Sequence, residues 1–86
     1  MSDSEKQLFE NLAIEHMDSL YSKAIRLARN SEVAEDLVQQ TYASAFCVFD
    51  QFDKSDNFNK WLNEILMRTY SPLSKKYSEN FNTTIM

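Results

Sequence analysis

Side chains that could support catalysis or bind a metal are few in this sequence and widely spaced. Asp50, Asp53 and Asp56 recur at intervals of three in a polar segment, which invites comparison with a calcium-binding loop. An EF-hand loop needs oxygen ligands at alternate positions, a central glycine and a distal bidentate glutamate. The segment meets none of these requirements, so we interpret it as a solvated loop.

The single histidine and the single cysteine are equally isolated. His16 has no cysteine or second histidine at metal-ligand spacing, and we expect it at the surface or at a bend. Cys47 cannot form an internal disulfide, and near a helix end it is expected to fill a small apolar space. No spacing assembles a nucleophile, a base and an orienting group. We therefore expect no metal, no cofactor and no enzymatic activity.

The composition indicates that the elements carrying these residues are helices. The 86 residues include no glycine and one proline, whereas hairpins, bulges and phosphate-binding loops commonly need glycine for positive φ. The length suits one domain with one small core. No segment approaches the roughly 18 apolar residues of a membrane span. The N-terminal "MSDSEKQLFE" is acidic where a signal peptide would be basic, so we expect a cytoplasmic protein.

Charge is distributed unevenly along the chain, whose net charge is −4. Residues 1–56 carry five basic and eleven acidic side chains, a balance of −6. Residues 57–86 carry four basic and two acidic side chains, a balance of +2. The overall acidity argues against a free-standing nucleic-acid binder, because such domains usually have a basic face. The acidic front and the basic back could face different partners.

Apolar residues at helical spacing predict a first helical stretch over residues 4–29. Its stripe changes phase near His16, which predicts two helices or a bend there. Asn30 and Ser31 follow as the break and the N-cap of the next helix, whose first turns carry carboxylates that favour the positive end of the helix dipole. The apolar positions of the first stretch are Leu8, Phe9, Leu12, Met17, Leu20, Tyr21, Ala24, Leu27 and Ala28.

Two further helices have unbroken apolar faces. The second contains "AEDLVQQTYASAF", residues 34–46, and the third follows "DQFDKSDN" with Ser55 or Asp56 as its cap. Pro72 interrupts the third helix, and Ser71 as cap predicts a short fourth one. The fold class is therefore all-α, a compact bundle of about four helices in residues 1–76, with a tail or interdomain linker in residues 77–86. The two faces are Ala34, Leu37, Val38, Thr41, Tyr42, Ala45, Phe46 and Phe49, and Phe58, Trp61, Leu62, Ile65, Leu66 and Thr69.

The ordered series of these elements resembles region two of the sigma factors of bacterial RNA polymerase, especially the extracytoplasmic-function group. The resemblance covers roughly residues 9–76 and is carried by the order and spacing of short elements rather than by one dipeptide. Those elements are Leu20 and Tyr21, Ala34 to Gln39, Thr41 and Tyr42, Ala45 and Phe46, Phe49 and Phe52, and Phe58, Trp61 and Leu62.

The resemblance implies a binding protein of transcription initiation. In that family the outer face of the "AEDLVQ" helix docks on the coiled coil of the polymerase clamp, so core RNA polymerase is the expected partner. Carboxylates and amides on this face suit pairing with arginines. An anti-sigma factor is a further candidate partner. The implied polymerase-binding residues are Glu35, Asp36, Gln39, Gln40 and Ala43.

The resemblance also implies contact with promoter DNA. The loop and the last helix would open the minus-ten element and hold an unstacked base of the non-template strand. An extruded base loses stacking and pairing, and the pocket must replace them, whereas phosphate contacts position the protein without specifying sequence. The implied DNA-binding residues are Lys54, Ser55, Asp56, Asn57, Asn59, Lys60, Arg68, Lys75 and Lys76.

Two departures from the family leave alternatives open. The last helix of family members continues through an asparagine and an aspartate into an arginine-rich end, whereas this chain has Arg68, Pro72 and two lysines there. A complete factor of this group also carries a second helical domain, so the chain is expected to be either a fragment or a naturally short protein. The alternatives are a sigma-like module that binds only proteins and an unrelated helical adaptor.

Overall fold

A computed structural model of the protein describes residues 2–70, which form three α-helices and no strand. Helix α1 is Asp3–Ala28, α2 is Ser31–Val48, a 3-10 turn follows at Phe49–Gln51, and α3 occupies residues 58–70. The all-α class is confirmed. The fourth helix and the tail predicted for the last residues lie outside the described part of the chain. No helix within residues 2–70 combines the length and the apolarity needed to cross a membrane.

Helix α1 is one continuous helix from Asp3 to Ala28, so the predicted division into two helices near His16 is wrong. The Ser2 hydroxyl accepts from the Glu5 amide at 3.2 Å and caps the first turn. The stripe does not change phase because His16 itself lies on it, with its ring 5.5 Å from the Phe58 ring. A stripe defined by apolar residues alone leaves His16 out. The stripe that packs on the other helices is Phe9, Ala13, His16, Leu20, Ala24 and Leu27.

The turn between α1 and α2 is made without glycine. Arg29 adopts the left-handed conformation, with φ 56°, and its amide donates to the Ile25 carbonyl at 2.7 Å. The Asn30 side-chain oxygen then accepts from the amides of Glu32 at 2.9 Å and Val33 at 3.1 Å. Asn30 is therefore the N-cap, one residue earlier than the predicted Ser31, which is instead the first residue of α2.

The predicted inner face of α2 is confirmed apart from its rim. Six of its eight residues are buried, Tyr42 is partly buried, and Phe46 is 37% exposed. The fully buried Thr41 hydroxyl donates to the Leu37 carbonyl at 2.7 Å, which satisfies the polar atom within the helix. The Tyr42 hydroxyl donates to the Ala13 carbonyl at 2.8 Å and joins α2 to α1.

An aromatic cluster joins the loop to all three helices. Phe49, with no exposed surface, stands 5.1 Å from Phe9, 5.7 Å from Phe52 and 6.1 Å from Trp61, measured between ring centroids. Phe58 lies 5.7 Å from Phe52 and completes the cluster. These spacings fall in the range in which aromatic pairs attract beyond the area they bury. The cluster fixes where α3 begins relative to α2.

The apolar face of α3 is also confirmed. Phe58, Leu62, Ile65 and Leu66 are buried, while Trp61 and Thr69 are partly buried. Three turns further along α3, the Tyr70 hydroxyl donates to the Leu27 carbonyl of α1 at 3.1 Å. Helix α3 is therefore held against α1 by aromatic packing at its start and by this hydrogen bond at Tyr70.

Alanine substitutions of Phe49 and of Phe46 compare the stability contribution of the centre of the aromatic cluster with that of its exposed edge. Phe49→Ala should lower the free energy of unfolding by about 3–5 kcal/mol, because it opens a cavity where no surface is exposed. Phe46→Ala, three residues away, should cost only about 1 kcal/mol, mainly through its contact with Phe9. Urea unfolding followed by circular dichroism measures both, and equal losses would contradict the described core.

Candidate functional site

The five predicted polymerase-binding residues share the outer face of α2, and we call them the α2 strip. Glu35, Gln39, Gln40 and Ala43 are exposed, and Asp36 is partly buried. The Gln40 amide donates to the Asp36 carboxylate at 3.1 Å across one turn. This bond orients the carboxylate while leaving its remaining lone pairs for a further donor.

A groove runs beside the α2 strip, where α1 packs against α2. Its volume is about 560 Å³, and Asp18 and Glu35 supply acidic groups from the two helices. Met17 stands in this groove with 44% of its surface exposed. Partial burial raises the pKa of Tyr42, whose hydroxyl is held by the Ala13 carbonyl. The groove is lined by Met17, Asp18, Tyr21, Glu35, Val38, Gln39 and Tyr42.

Asp18 and Tyr21 were missed in the sequence. They belong to a different helix from the α2 strip, and only the packing of α1 on α2 brings them beside Glu35 and Gln39. One signal in the sequence could have identified them: Asp18 and Tyr21 lie within two positions of Leu20, a core residue of α1. The candidate polymerase surface therefore spans two helices and is acidic on both.

Lys54, one of the predicted DNA-binding residues, stabilises the loop itself. Its ammonium donates to the carbonyls of Phe49 and Phe52, each at 3.1 Å. The same nitrogen lies 4.2 Å from the centroid of the Phe49 ring, a cation–π distance. The charge of Lys54 therefore satisfies the carbonyls of the 3-10 turn, which limits its use toward a phosphate.

The predicted caps of α3 are wrong. Asn57, rather than Ser55 or Asp56, begins the helix: its side-chain oxygen accepts from the Lys60 amide at 3.2 Å, and its carbonyl accepts from the Trp61 amide at 3.1 Å. The preceding residues form their own turn around Asp53, so that they cannot cap the helix. A hydrogen bond to the side chain of Asn57 would therefore compete with the cap.

Asp53 organises the middle of the loop. Its carboxylate accepts from the Ser55 hydroxyl at 2.7 Å and from the Ser55 amide at 2.9 Å. These bonds hold the pKa of Asp53 below its usual value. Because the folded-state pKa is lowered, the turn is fully formed above the usual carboxyl range. It loses this support as the pH falls through the lowered pKa.

The remaining predicted DNA-binding residues are only partly brought together. Asp56, Asn57 and Lys60 line one pocket of about 270 Å³ with Trp61 and Glu64. Asn59 is half-buried and lines a neighbouring depression with Asn57 and Lys60. Arg68 is exposed two turns further along α3, and Lys75 and Lys76 lie outside the described residues. Glu64, which the sequence analysis left out, adds a carboxylate to this surface.

Two cations of α1 lie on the same side of the domain as α3. Lys23 and Arg26 border a groove whose opposite wall is formed by α3. They were missed because the acidic balance of residues 1–56 concealed two basic residues that the fold places beside Asn63 and Met67 of α3. The domain therefore has an acidic side at α1 and α2 and a more basic side at α1 and α3.

Within residues 2–70 no three His, Cys, Asp or Glu side chains are grouped so that they could hold a metal ion. Cys47 is a free, exposed thiol, not the buried filler that its position predicted.

Comparison with known protein families agrees with this geometry. The family model for Sigma-70 region 2 matches residues 12–73, well over half of the chain. The matched segment contains most of α1, all of α2, the aromatic cluster's loop and α3. Sigma-70 region 2 is a domain of the sigma factors that act in transcription initiation, and in general it interacts with core RNA polymerase and promoter DNA. The protein belongs to the Sigma-70 region 2 family.

Proposed function

We propose that this domain docks on the clamp coiled coil of core RNA polymerase through α2 and engages the non-template strand of the promoter's minus-ten element through its loop and α3. It would do so as a domain of the extracytoplasmic-function type, in the cytoplasm and without catalysing a reaction. The observation that carries the proposal is the family match over residues 12–73 together with the solvent-facing position of the α2 strip.

The polymerase side of the proposal rests on charge and pre-organisation. Asp36 is held by Gln40, and Glu35 stands across the groove from Asp18, so that donors from a partner would meet fixed acceptors. Charge-assisted bonds between arginine and carboxylate are stronger than neutral ones and geometrically selective. The exposed Met17 supplies apolar contact in the same groove. A basic, partly apolar helix is the partner that this surface fits.

Reversal of charge on the α2 strip should abolish docking. Asp36→Arg with Gln40→Arg replaces the oriented carboxylate by two cations. Capture by core RNA polymerase should fall at least about thirtyfold, since loss of one partner of a buried charge pair costs about 2–5 kcal/mol. Binding is measured by pull-down or by fluorescence anisotropy of the labelled chain.

A control with the same charge change separates docking from net charge. Glu10→Arg with Gln7→Arg places the same two side chains on the exposed N-terminal part of α1. This control should retain capture, and circular dichroism verifies the fold of both variants. Undiminished capture by the Asp36 and Gln40 variant would refute docking through α2.

The DNA side rests on a loop whose conformation is set before any partner binds. Lys54 and Asp53 hold the loop internally, and the aromatic cluster anchors its two ends. A fixed pocket avoids the ordering cost that a flexible loop would incur on binding. The side-chain oxygen of Asn57 is occupied as the helix cap. The side chains of Asn59 and Lys60 are not used in this way and remain available for base edges and phosphates.

Loss of Asn59 and Lys60 should impair promoter opening. Asn59→Ala with Lys60→Ala removes one amide and one cation without touching the cap, and the extent of melting by the polymerase complex should fall several-fold. Fluorescence of a base analogue in the minus-ten region reports melting. Asn11→Ala with Lys6→Ala removes the same residue types from α1, and this control should melt promoter like the parent. Equal melting by both variants would exclude Asn59 and Lys60 from promoter opening.

A protein-only module is the second candidate, and one observation favours it. The ammonium of Lys54 is used within the loop, and Glu64 stands beside Lys60, so the loop surface is poorer in available positive charge than its composition suggests. On this alternative, the chain captures polymerase or an anti-sigma factor normally, but no variant of the loop affects DNA. The family match argues against an unrelated helical adaptor.

A further inference from the structure

The groove between α1 and α3 is an apolar surface that the proposed function does not use. Leu66 is buried and Leu27 is partly buried there, whereas Met67 is 52% exposed. An apolar side chain that entered the groove would be removed from water, which is favourable. The groove has a volume of about 380 Å³ and is lined by Lys23, Arg26, Leu27, Asn63, Leu66 and Met67.

Two cations stand on the α1 side of this groove. Lys23 and Arg26 lie one turn apart, and neither forms an ion pair with another residue of the 2–70 segment. Complementary charge favours an occupant that carries carboxylates beside its apolar side chain, and like charge disfavours a basic occupant. The groove therefore fits an apolar residue with acidic neighbours.

The same chain carries such a surface near the other end of α1. Of the large hydrophobic side chains within residues 2–70, Ile14 is the most exposed, at 71%. Glu10 and Asp18 are exposed one turn before and one turn after it, so the three side chains follow one line along the helix. The sequence has no lysine or arginine between Glu10 and Asp18. We call these three residues the Ile14 face.

The Ile14 face and the groove cannot meet within one chain. Both belong to the continuous helix α1, on which Ile14 and Lys23 are separated by more than two turns. Contact between the two surfaces therefore requires two copies of the chain.

We infer that a second copy of this chain occupies the groove in a head-to-tail contact. Ile14 of one copy packs on Leu66 and Met67 of the next, and the carboxylates beside Ile14 pair with Lys23 and Arg26. Because the contact joins two different surfaces, each pair keeps one free Ile14 face and one free groove, to which further copies add. The contact is small, so the association is transient.

This contact competes with docking on polymerase. Asp18 belongs to the Ile14 face and also lines the groove beside the α2 strip. A copy seated on the Ile14 face therefore covers part of the candidate polymerase surface, and polymerase must displace it. The inference itself does not need the proposed function, because self-association is a property of the chain alone.

Sedimentation equilibrium of the full chain, at concentrations up to about 1 mM, measures the association. The average mass should rise above that of one chain as the concentration increases. Ile14→Ser and Met67→Ser should each weaken the association about tenfold, because each removes an apolar side chain from the contact. Leu8→Ser is the matched control: Leu8 is 39% exposed on the same helix but lies outside both surfaces. Circular dichroism verifies the fold of each variant.

A mixture of the two weakened variants identifies the head-to-tail arrangement. Ile14→Ser keeps an intact groove, and Met67→Ser keeps an intact Ile14 face. Equal amounts of the two should therefore form pairs that grow no further, at concentrations where neither variant associates alone. Mixing would not restore a symmetric contact, in which the same surface meets itself.

The charges have a separate readout. Arg26→Gln should weaken the association several-fold, because it removes one of the two cations that meet the carboxylates. Lys6→Gln changes the net charge equally on the same helix and should not weaken it.

Each contrary outcome is distinguishable. A parent chain that remains a single copy over the whole concentration range overturns the inference, and so does an equal effect of Ile14→Ser and Leu8→Ser. Mixed variants that stay single copies overturn the head-to-tail contact. If groove variants change polymerase capture or promoter melting but not self-association, the groove serves another partner and the inference is overturned.

The outcome for the proposed function is read separately. If polymerase captures a parent chain that does not self-associate, the proposed function stands and this inference alone falls. If the parent self-associates but polymerase does not capture it, the proposed function alone falls.

Discussion

The structure depends on the burial of Phe49 at the point where α2 ends. Its ring packs on Phe9 of α1, on Phe52 of the loop and on Trp61 of α3, and its carbonyl accepts the ammonium of Lys54. The same residue therefore connects the three helices and sets the conformation of the loop. In a chain this short, which buries only a little over ~60% of its unfolded surface, one shared cluster stabilises what larger domains can divide among several.

This arrangement determines which side chains lie on each outer surface of the domain. Because α1 borders a groove with each of the other helices, it adds Asp18 and Tyr21 beside the α2 strip and Lys23 and Arg26 beside α3. An overall acidic chain thus presents two sides of different character. The net charge of −4 describes neither side, which is why it is a poor guide to whether the domain meets nucleic acid.

Periodicity predicted the helices and most of the core, because apolar spacing records directly which face of a helix is buried. It failed at His16, because this polar residue packs its ring on Phe58 but is not counted in an apolar stripe. The pattern therefore predicted a break in α1. It also failed at the start of α3, where Asp53 binds Ser55 and leaves Asn57 as the cap. Several residues of the 53–57 segment could cap equally well by residue type, and the local turn that Asp53 forms with Ser55 decides among them.

The site was less predictable than the fold. The resemblance to sigma region two singled out the α2 strip, and helical spacing supplied only its outward positions. Asp18, Lys23 and Arg26 reach their surfaces only through packing between helices. Lys54 was expected in the pocket for an unstacked base, and its use inside the loop depends on the carbonyls of Phe49 and Phe52. Contacts between elements distant in sequence carry no local signal, so these roles required the three-dimensional arrangement.

The most direct measurement is hydroxyl-radical footprinting of two methionines, one on each side of the domain. Met17 lies in the groove beside the α2 strip, and Met67 lies on the α3 side, with 44% and 52% of their surfaces exposed. Core RNA polymerase alone should protect Met17 from oxidation and leave Met67 reactive, and single-stranded minus-ten DNA should then protect Met67. If polymerase leaves Met17 as reactive as in the free chain, the central claim, that this domain docks through the α1 and α2 side, is contradicted.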